Sequence, residues 1–261
     1  MSLLYKIEAK DSSAPQGYLF GTIHLNHISF QRWISLAQNI MSECTLFCPE
    51  LDISVLQENP NLQEDNEMNT YLEFQCKPSL IKFYRKHFQI DLDLLLQLPV
   101  HQLYGNLLSV LMSGITIPGS VDLILSRSAI LYKMEIQGLE EFESQHSLLM
   151  TMAKGNLQNQ VKFILKEPLK FRSKIKNIIS LYEAADITAM YQKSKKDAGS
   201  LKSELIYKRN IQMAGKTDTI LMSGKTSFVA IGAGHLPGEY GMIRLLKQAG
   251  YRITPLYPTP I

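Results

Sequence analysis

The feature that most constrains this chain is a pattern that occurs at both of its ends. Near the start, Tyr18-Leu19-Phe20 runs into Gly21-Thr22-Ile23-His24-Leu25, a polar break and an amphipathic stretch. Near the end, Ser227-Phe228-Val229-Ala230-Ile231 runs into Gly232-Ala233-Gly234-His235-Leu236, then Pro237-Gly238 and a second amphipathic stretch. With 15 glycines and 6 histidines in the chain, random placement gives about 0.3 Gly-x-x-His matches. Two matches, each between an apolar strand and a helix, read as one βαβ-type unit used twice. Such a chain is expected to be α/β, with two related halves forming a mixed sheet.

The rest of the chain is divided accordingly. In residues 1–58, alternation over 3–8, turn residues over 11–17 and a second extended run predict a hairpin. Ser29 is the expected N-cap of a helix over about 30–43, and 45–52 reads as a short strand ending in acid. Residues 59–220 read as a mostly helical insertion. Apolar residues recur there at spacings of three and four in 80–88, 103–111, 121–131 and 178–191. A strand is expected near 131–140, a polar linker at 156–159 and a solvated charged stretch at 193–203. Residues 221–261 form a C-terminal α/β element, its helix over 239–248 stopped by Gly250 before a last strand at 251–257. All three segments make up one domain.

Composition excludes several classes. A net charge of +3 with 45% hydrophobic and 20% charged residues is ordinary for a globular protein and too balanced for a dedicated nucleic-acid binder. Cys44, Cys48 and Cys76 are too few for a disulfide framework, so a reducing compartment is the default. Lys6 precedes any apolar run long enough for a signal peptide, and no later segment reaches the roughly 18 apolar residues of a membrane span. The sequence as written is therefore expected to be cytoplasmic; a removed leader would make it periplasmic or secreted.

In sheets of βαβ units, ligands bind beyond the carboxyl ends of the strands. Four expected strand ends carry His24, Glu50, Glu140 and His235. Two imidazoles with carboxylates suit a borderline or hard divalent ion, Mn²⁺, Co²⁺, Fe²⁺ or Zn²⁺. Gly21, Gly232 and Gly234 would let the backbone turn and approach the ion or substrate closely. One strand-end histidine alone is more often a hydrogen-bonded cap, and it is the matched pair that points to a shared site. Other motifs fail. Gly215-Lys216-Thr217 and Gly224-Lys225-Thr226 have Asn210 and Thr219 where a phosphate loop needs glycine. Cys44 and Cys48 lack a second pair for zinc, and no Gly-x-Ser-x-Gly elbow exists. The basic residues from Lys162 to Lys176 read as a solvated helix face.

Leu19-Phe20-Gly21-Thr22-Ile23-His24 and Val229 to Gly238 resemble the TraB/GumN family, which includes the Tiki proteases. Further resemblances follow in the family's order: Glu50-Leu51-Asp52, Gly119-Ser120-Val121-Asp122, Gly138-Leu139-Glu140 with Gln145, and Arg209-Asn210. Together they run from about residue 3 to 256. The resemblance implies an α/β fold from two related halves with a helical insertion, and a Mn²⁺- or Co²⁺-dependent peptidase acting on a peptide or protein. Some members are linked to peptide pheromone shutdown. Erythromycin esterases and haem-binding ChaN proteins resemble distant structural relatives, so fold alone does not fix chemistry.

On this reading His24, His235 and at least one of Glu50 and Glu140 hold the ion. The other glutamate is general base to the bound water. Asp122, Gln145, Arg209 and Asn210 are expected to orient the imidazoles or bind developing charge. Two rivals stand beside it: a metal-free esterase with His24 as base and Glu50 orienting it, and a protein that captures a peptide or cofactor without chemistry. The sequence leaves substrate, metal and oligomeric state open.

Overall fold

Alternating apolar residues and the polar turn between them set the first two strands side by side. β1 (Leu4–Ala9) and β2 (Pro15–Thr22) pair antiparallel, with Leu4 opposite Phe20. The structure is a computed structural model and describes residues 1–9, 15–52, 71–141 and 157–259. Contacts divide the chain into two units: Met1–Val55, Ile117–Ser144 and Ile178–Ile261 form the first, Leu56–Thr116 and Gln145–Asn177 the second.

The first unit holds a six-stranded mixed sheet. After β2 come α1 (Gln31–Met41) and β3 (Leu46–Pro49). The order across the sheet is β4-β3-β5-β2-β1-β6, with β4 at Glu135–Ile136, β5 at Ser227–Gly232 and β6 at Tyr251–Leu256. β1 is antiparallel to both its neighbours, and every other pairing is parallel. β5 sits between β2 and β3 and is buried from Ser227 to Ile231, as a parallel strand covered on both faces requires. Its Phe228 packs 6.1 Å from Phe20 and 6.4 Å from Phe47, joining three strands in one core. The α/β class and mixed sheet expected from the sequence are thus observed.

The second unit is helical in its described residues, with α2 (Pro78–Phe88), a single turn at Leu92–Leu95, and α3 (Val100–Met112). Leu103, Leu107 and Leu111 recur on one face of α3 and bury completely with Tyr84 and Leu165. The Tyr84 hydroxyl donates to the Ile164 carbonyl at 3.0 Å, so its buried oxygen is satisfied.

The remaining elements are α4 (Val121–Leu131), α5 (residues 157–166), α6 (Pro168–Glu183), α7 (Ile187–Ala198), α8 (Arg209–Met222) and α9 (Met242–Gln248). Several expected boundaries shift for local reasons. Ser29 is not the cap of α1: a 3₁₀ turn over Ile28–Phe30 intervenes, and the Ser29 N–H donates to His27 Nδ1. The helix expected over 178–191 breaks at Ala185, whose φ is 53°, and Asp186 caps the next helix by accepting from the Ala189 N–H. The strand near 131–140 shrinks because α4 runs through Leu131 and Lys133 turns with φ 55°. Extended pairing resumes at the Leu51–Glu140 bridge. Residues 157–159, expected as linker, already belong to α5.

Candidate active site

Parallel pairing brings the carboxyl ends of β2, β3 and β5 to one edge of the sheet. Thr22 stands opposite Gly232, and the Glu50 N–H donates to the Ala230 carbonyl at 2.9 Å. A crevice of about 310 Å³ opens there, lined by His24, Glu50, Arg209 and His235 among others. All lie in the first unit.

His24 follows β2 in a loop tied to the start of α4. The Val121 N–H donates to the Ile23 and Leu25 carbonyls, and the Asn26 amide donates to the Pro118 carbonyl. Ser120 caps α4 by accepting from the Leu123 N–H, which leaves Asp122 in the first helical turn, where the helix dipole favours a carboxylate. Asp122 Oδ2 lies 2.9 Å from His24 Nδ1, and the imidazole is 85% exposed. The Asp122 carboxylate at this distance raises the His24 pKa above the ordinary imidazole value, against a smaller opposing effect of desolvation.

His235 stands in a different setting. It ends the 3₁₀ turn Ala233–His235 after β5, with its Nδ1 2.6 Å from Asn210 Oδ1. Asn210 is fully buried and its amide nitrogen donates to the Tyr240 carbonyl at 2.7 Å, so the side chain is fixed from both ends. Burial lowers the His235 pKa, with Glu50 opposing, and the imidazole is neutral near neutral pH.

The two glutamates are neighbours through their backbones. The Glu140 N–H donates to the Glu50 carbonyl at 2.9 Å, extending the β3–β4 pairing by one bridge. Arg209 answers their charges. Its Nε and Nη2 donate to Glu140 Oε1 and Oε2, both at 2.7 Å, and Nη2 also donates to Glu50 Oε1. Glu50 Oε2 accepts from the Gly232 N–H at 3.1 Å. Burial pushes the Glu50 carboxyl up, but His235, Arg209 and the Gly232 N–H outweigh it and hold it at about 2. With His235 neutral, Arg209 supplies the positive charge at neutral pH. Two carboxylates against one guanidinium leave one negative charge facing two imidazoles. Arg209 directly follows a π-helical turn over Ser203–Lys208, a rare geometry that is frequent at functional sites.

Glu140 lines a separate groove with Ile211, Gln212 and Lys216. The glycines act mainly through packing. A Cβ on Gly21 would meet Leu236 Cδ1 at 2.6 Å, and one on Gly234 would meet Ser194 Oγ at 2.7 Å. Gly232 has ordinary room, its nearest neighbours being His235 and Glu50. Gln145 lies outside the described residues. Cys44 and Cys48 are buried, with thiols pushed up to about 12 by burial, which makes them inert.

The sequence pattern did not mark α7 as a wall of the crevice. Met190, Lys193 and Ser194 line it, within a stretch partly assigned to solvent. The usable signal was the spacing of Ile187, Met190, Tyr191 and Ser194, one helical face that continues past 191.

The donor chemistry fits a divalent ion. Each imidazole has Nδ1 facing an oxygen, at 2.9 Å for His24 and 2.6 Å for His235, leaving Nε2 as the remaining ring nitrogen, the side that outer partners leave free on a metal-binding histidine. Glu50 supplies carboxylate oxygen in the same crevice. Among the described residues, no three of the His, Cys, Asp and Glu side chains stand close enough to hold an ion as they are.

A family model described as the TraB/PrgY/gumN family matches residues 3–255. The chain belongs to this family. Among curated relatives, a protein named metalloprotease TIKI homolog, from Amphimedon queenslandica, is 36% identical over 95 residues, covering 35% of this chain and 17% of the relative. Metalloprotease TIKI2 from Danio rerio is 40% identical over 55 residues, covering 20% of this chain and 11% of the relative. The chain thus aligns with less than a fifth of the length of either relative. No solved structure matches. No helix among the described residues is long and apolar enough to cross a membrane.

Proposed function

We propose that this member of the TraB/PrgY/gumN family is a metal-dependent hydrolase that cleaves amide bonds in a peptide or protein. The observation that carries the reading is the pair of strand-end imidazoles, each oriented through Nδ1 by its own oxygen, beside Glu50 in one crevice. The named function of the two Tiki relatives supports it.

His24, His235 and Glu50 would hold the ion, with Mn²⁺ or Co²⁺ the first candidates and Zn²⁺ or Fe²⁺ the next. A divalent ion bound there lowers the pKa of its water from 15.7 to roughly 7 and polarises a carbonyl. Asp122 and Asn210 would orient the two imidazoles through Nδ1. Glu50, held at about 2, stays ionised at neutral pH and suits a ligand better than a proton carrier, whose pKa should lie near the working pH. Arg209 lines the crevice and can bind negative charge developing on a substrate carbonyl oxygen. Ile178, Leu181, Met190 and Ile206 give the crevice an apolar wall that would suit an aliphatic side chain of the substrate.

The test is peptide hydrolysis by Mn²⁺-loaded protein beside Glu50→Gln, with circular dichroism to confirm that the variant folds. Turnover falls to background in Glu50→Gln; undiminished hydrolysis by that variant sinks the assignment.

One observation favours a second reading. Asp122 occupies the orienting position on His24 that a metal-free esterase needs, with Asp122 in the part first expected of Glu50. Ester hydrolysis that survives exhaustive chelation and disappears in Asp122→Asn would select that reading.

A further inference from the structure

Arg209 contacts the two glutamates unequally. It has a two-point seat on Glu140, through Nε and Nη2, and a single contact on Glu50, through Nη2. On Glu50, Oε2 already accepts the Gly232 N–H, so Oε1 is the oxygen that Arg209 takes. An ion drawing on Glu50 therefore meets a guanidinium already in place. The partition of the surroundings agrees: Glu50 and Arg209 line the crevice of the two imidazoles, whereas Glu140 lines the neighbouring groove. All three side chains are largely buried, at 17% exposure for Arg209, 15% for Glu50 and 9% for Glu140, so water screens the competition weakly.

We infer that Glu140 is not a ligand and acts on the metal chiefly through Arg209: it seats the guanidinium away from Glu50, for which Arg209 and the divalent ion compete. This rests on the metal-hydrolase reading and settles which carboxylate serves as ligand. When an ion takes Glu50 Oε1, Arg209 keeps both contacts to Glu140 and loses one. Its Nη2 is then left at the crevice side with hydrogen-bonding capacity for a substrate oxygen. Ion loading thereby prepares the charge-binding group, which couples the two events. Glu140 is a positioning residue in this scheme, and its role depends on the presence of Arg209.

The test is calorimetric titration of Mn²⁺ into chelator-stripped protein: wild type, Arg209→Gln, Glu140→Gln, and the double variant. Removing a buried positive charge beside Glu50 should tighten binding in Arg209→Gln by about tenfold or more, since charges a few ångströms apart interact strongly at low effective dielectric. Glu140→Gln should weaken binding by a similar factor, because Arg209 is left to Glu50 alone. The double variant carries the decision. It replaces both members of a buried ion pair, which is better tolerated than removing one, and it should bind more tightly than wild type, close to Arg209→Gln. A double variant as weak as Glu140→Gln would make Glu140 a direct ligand and overturn the inference. So would an Arg209→Gln protein that folds and binds no tighter than wild type. Binding of neither Mn²⁺ nor Co²⁺ by any of the four proteins would overturn the hydrolase reading itself, and the inference with it.

Discussion

The two strand-end histidines share a sequence frame and differ in physical state. His24 is exposed and faced by a carboxylate, which pushes its pKa up; His235 is buried, faced by a neutral amide and held neutral by its surroundings. The repeated Gly-x-x-His-Leu frame places both side chains at one edge of the sheet. The Asp122 carboxylate sets the protonation of His24, and burial sets that of His235. One site can thus hold a histidine that readily carries a proton beside one that does not.

The largest effect is expected from breaking the His235 side. Asn210→Ala removes the oxygen on Nδ1 and the donor to the Tyr240 carbonyl, both in a fully buried position. Metal affinity should fall about 10–100-fold, as for other outer partners of metal ligands. Stability should fall by about 1–3 kcal/mol from the polar groups left unpaired. Mn²⁺ titration and urea denaturation read the two separately. Asp122→Asn should cost a similar factor in affinity with less effect on stability, because His24 and its partner are more exposed. Proton NMR should show the His24 titration midpoint moving down in that variant and the His235 midpoint unmoved.

The frame around each histidine can be probed by packing alone. In Gly21→Ala the added methyl meets Leu236 and the Ala233 backbone, whereas in Gly232→Ala it finds ordinary contact distances. The first should lose about 1–3 kcal/mol in a denaturation series, the range for overpacked positions, and the second clearly less.

The smallest effect is the pH dependence of stability near neutrality, where the two histidines act on opposite sides of 6.5. His24, with a raised pKa, contributes stability that is present below its unfolded value of 6.5 and lost as pH rises through the folded value. His235, with a lowered pKa, contributes stability present above 6.5 and lost as pH falls through its folded value. Unfolding midpoints should therefore pass through a shallow maximum near pH 6.5, rising below it through His235 and falling above it through His24. Glu50 adds a separate acid limb: its contribution is present above about 4.5 and disappears as pH falls through about 2. In Asp122→Asn the fall above 6.5 should disappear, leaving stability that rises with pH up to about 6.5 and then levels.

Legibility in the sequence followed the range of the interactions. The apolar runs at Tyr18–Phe20 and Ser227–Ile231 announced buried strands, and the residues after them announced the sheet edge, because strand periodicity and turn chemistry are local. Asp122 and Asn210 entered through family resemblance, since nothing local tells an ordinary helix start from one aimed at an imidazole. The Arg209 seat was harder still. It depends on a π-helical turn over Ser203–Lys208 and on a one-residue bridge at Glu140, neither of which has a periodic signature. The α7 wall was obscured by its charge: Lys193 to Lys196 read as solvent-facing, although Lys193 and Ser194 line the crevice.

The central claim is that His24 and His235 serve one ion. Metal content measured by mass spectrometry on Mn²⁺-reloaded protein, beside a His24→Ala, His235→Ala double variant, tests it most directly. The account predicts roughly one ion per chain in the wild type and almost none in the variant, since both imidazoles would be ligands to the same ion. No ion in either protein after reloading with Mn²⁺ or Co²⁺, or equal ion in both, would contradict it.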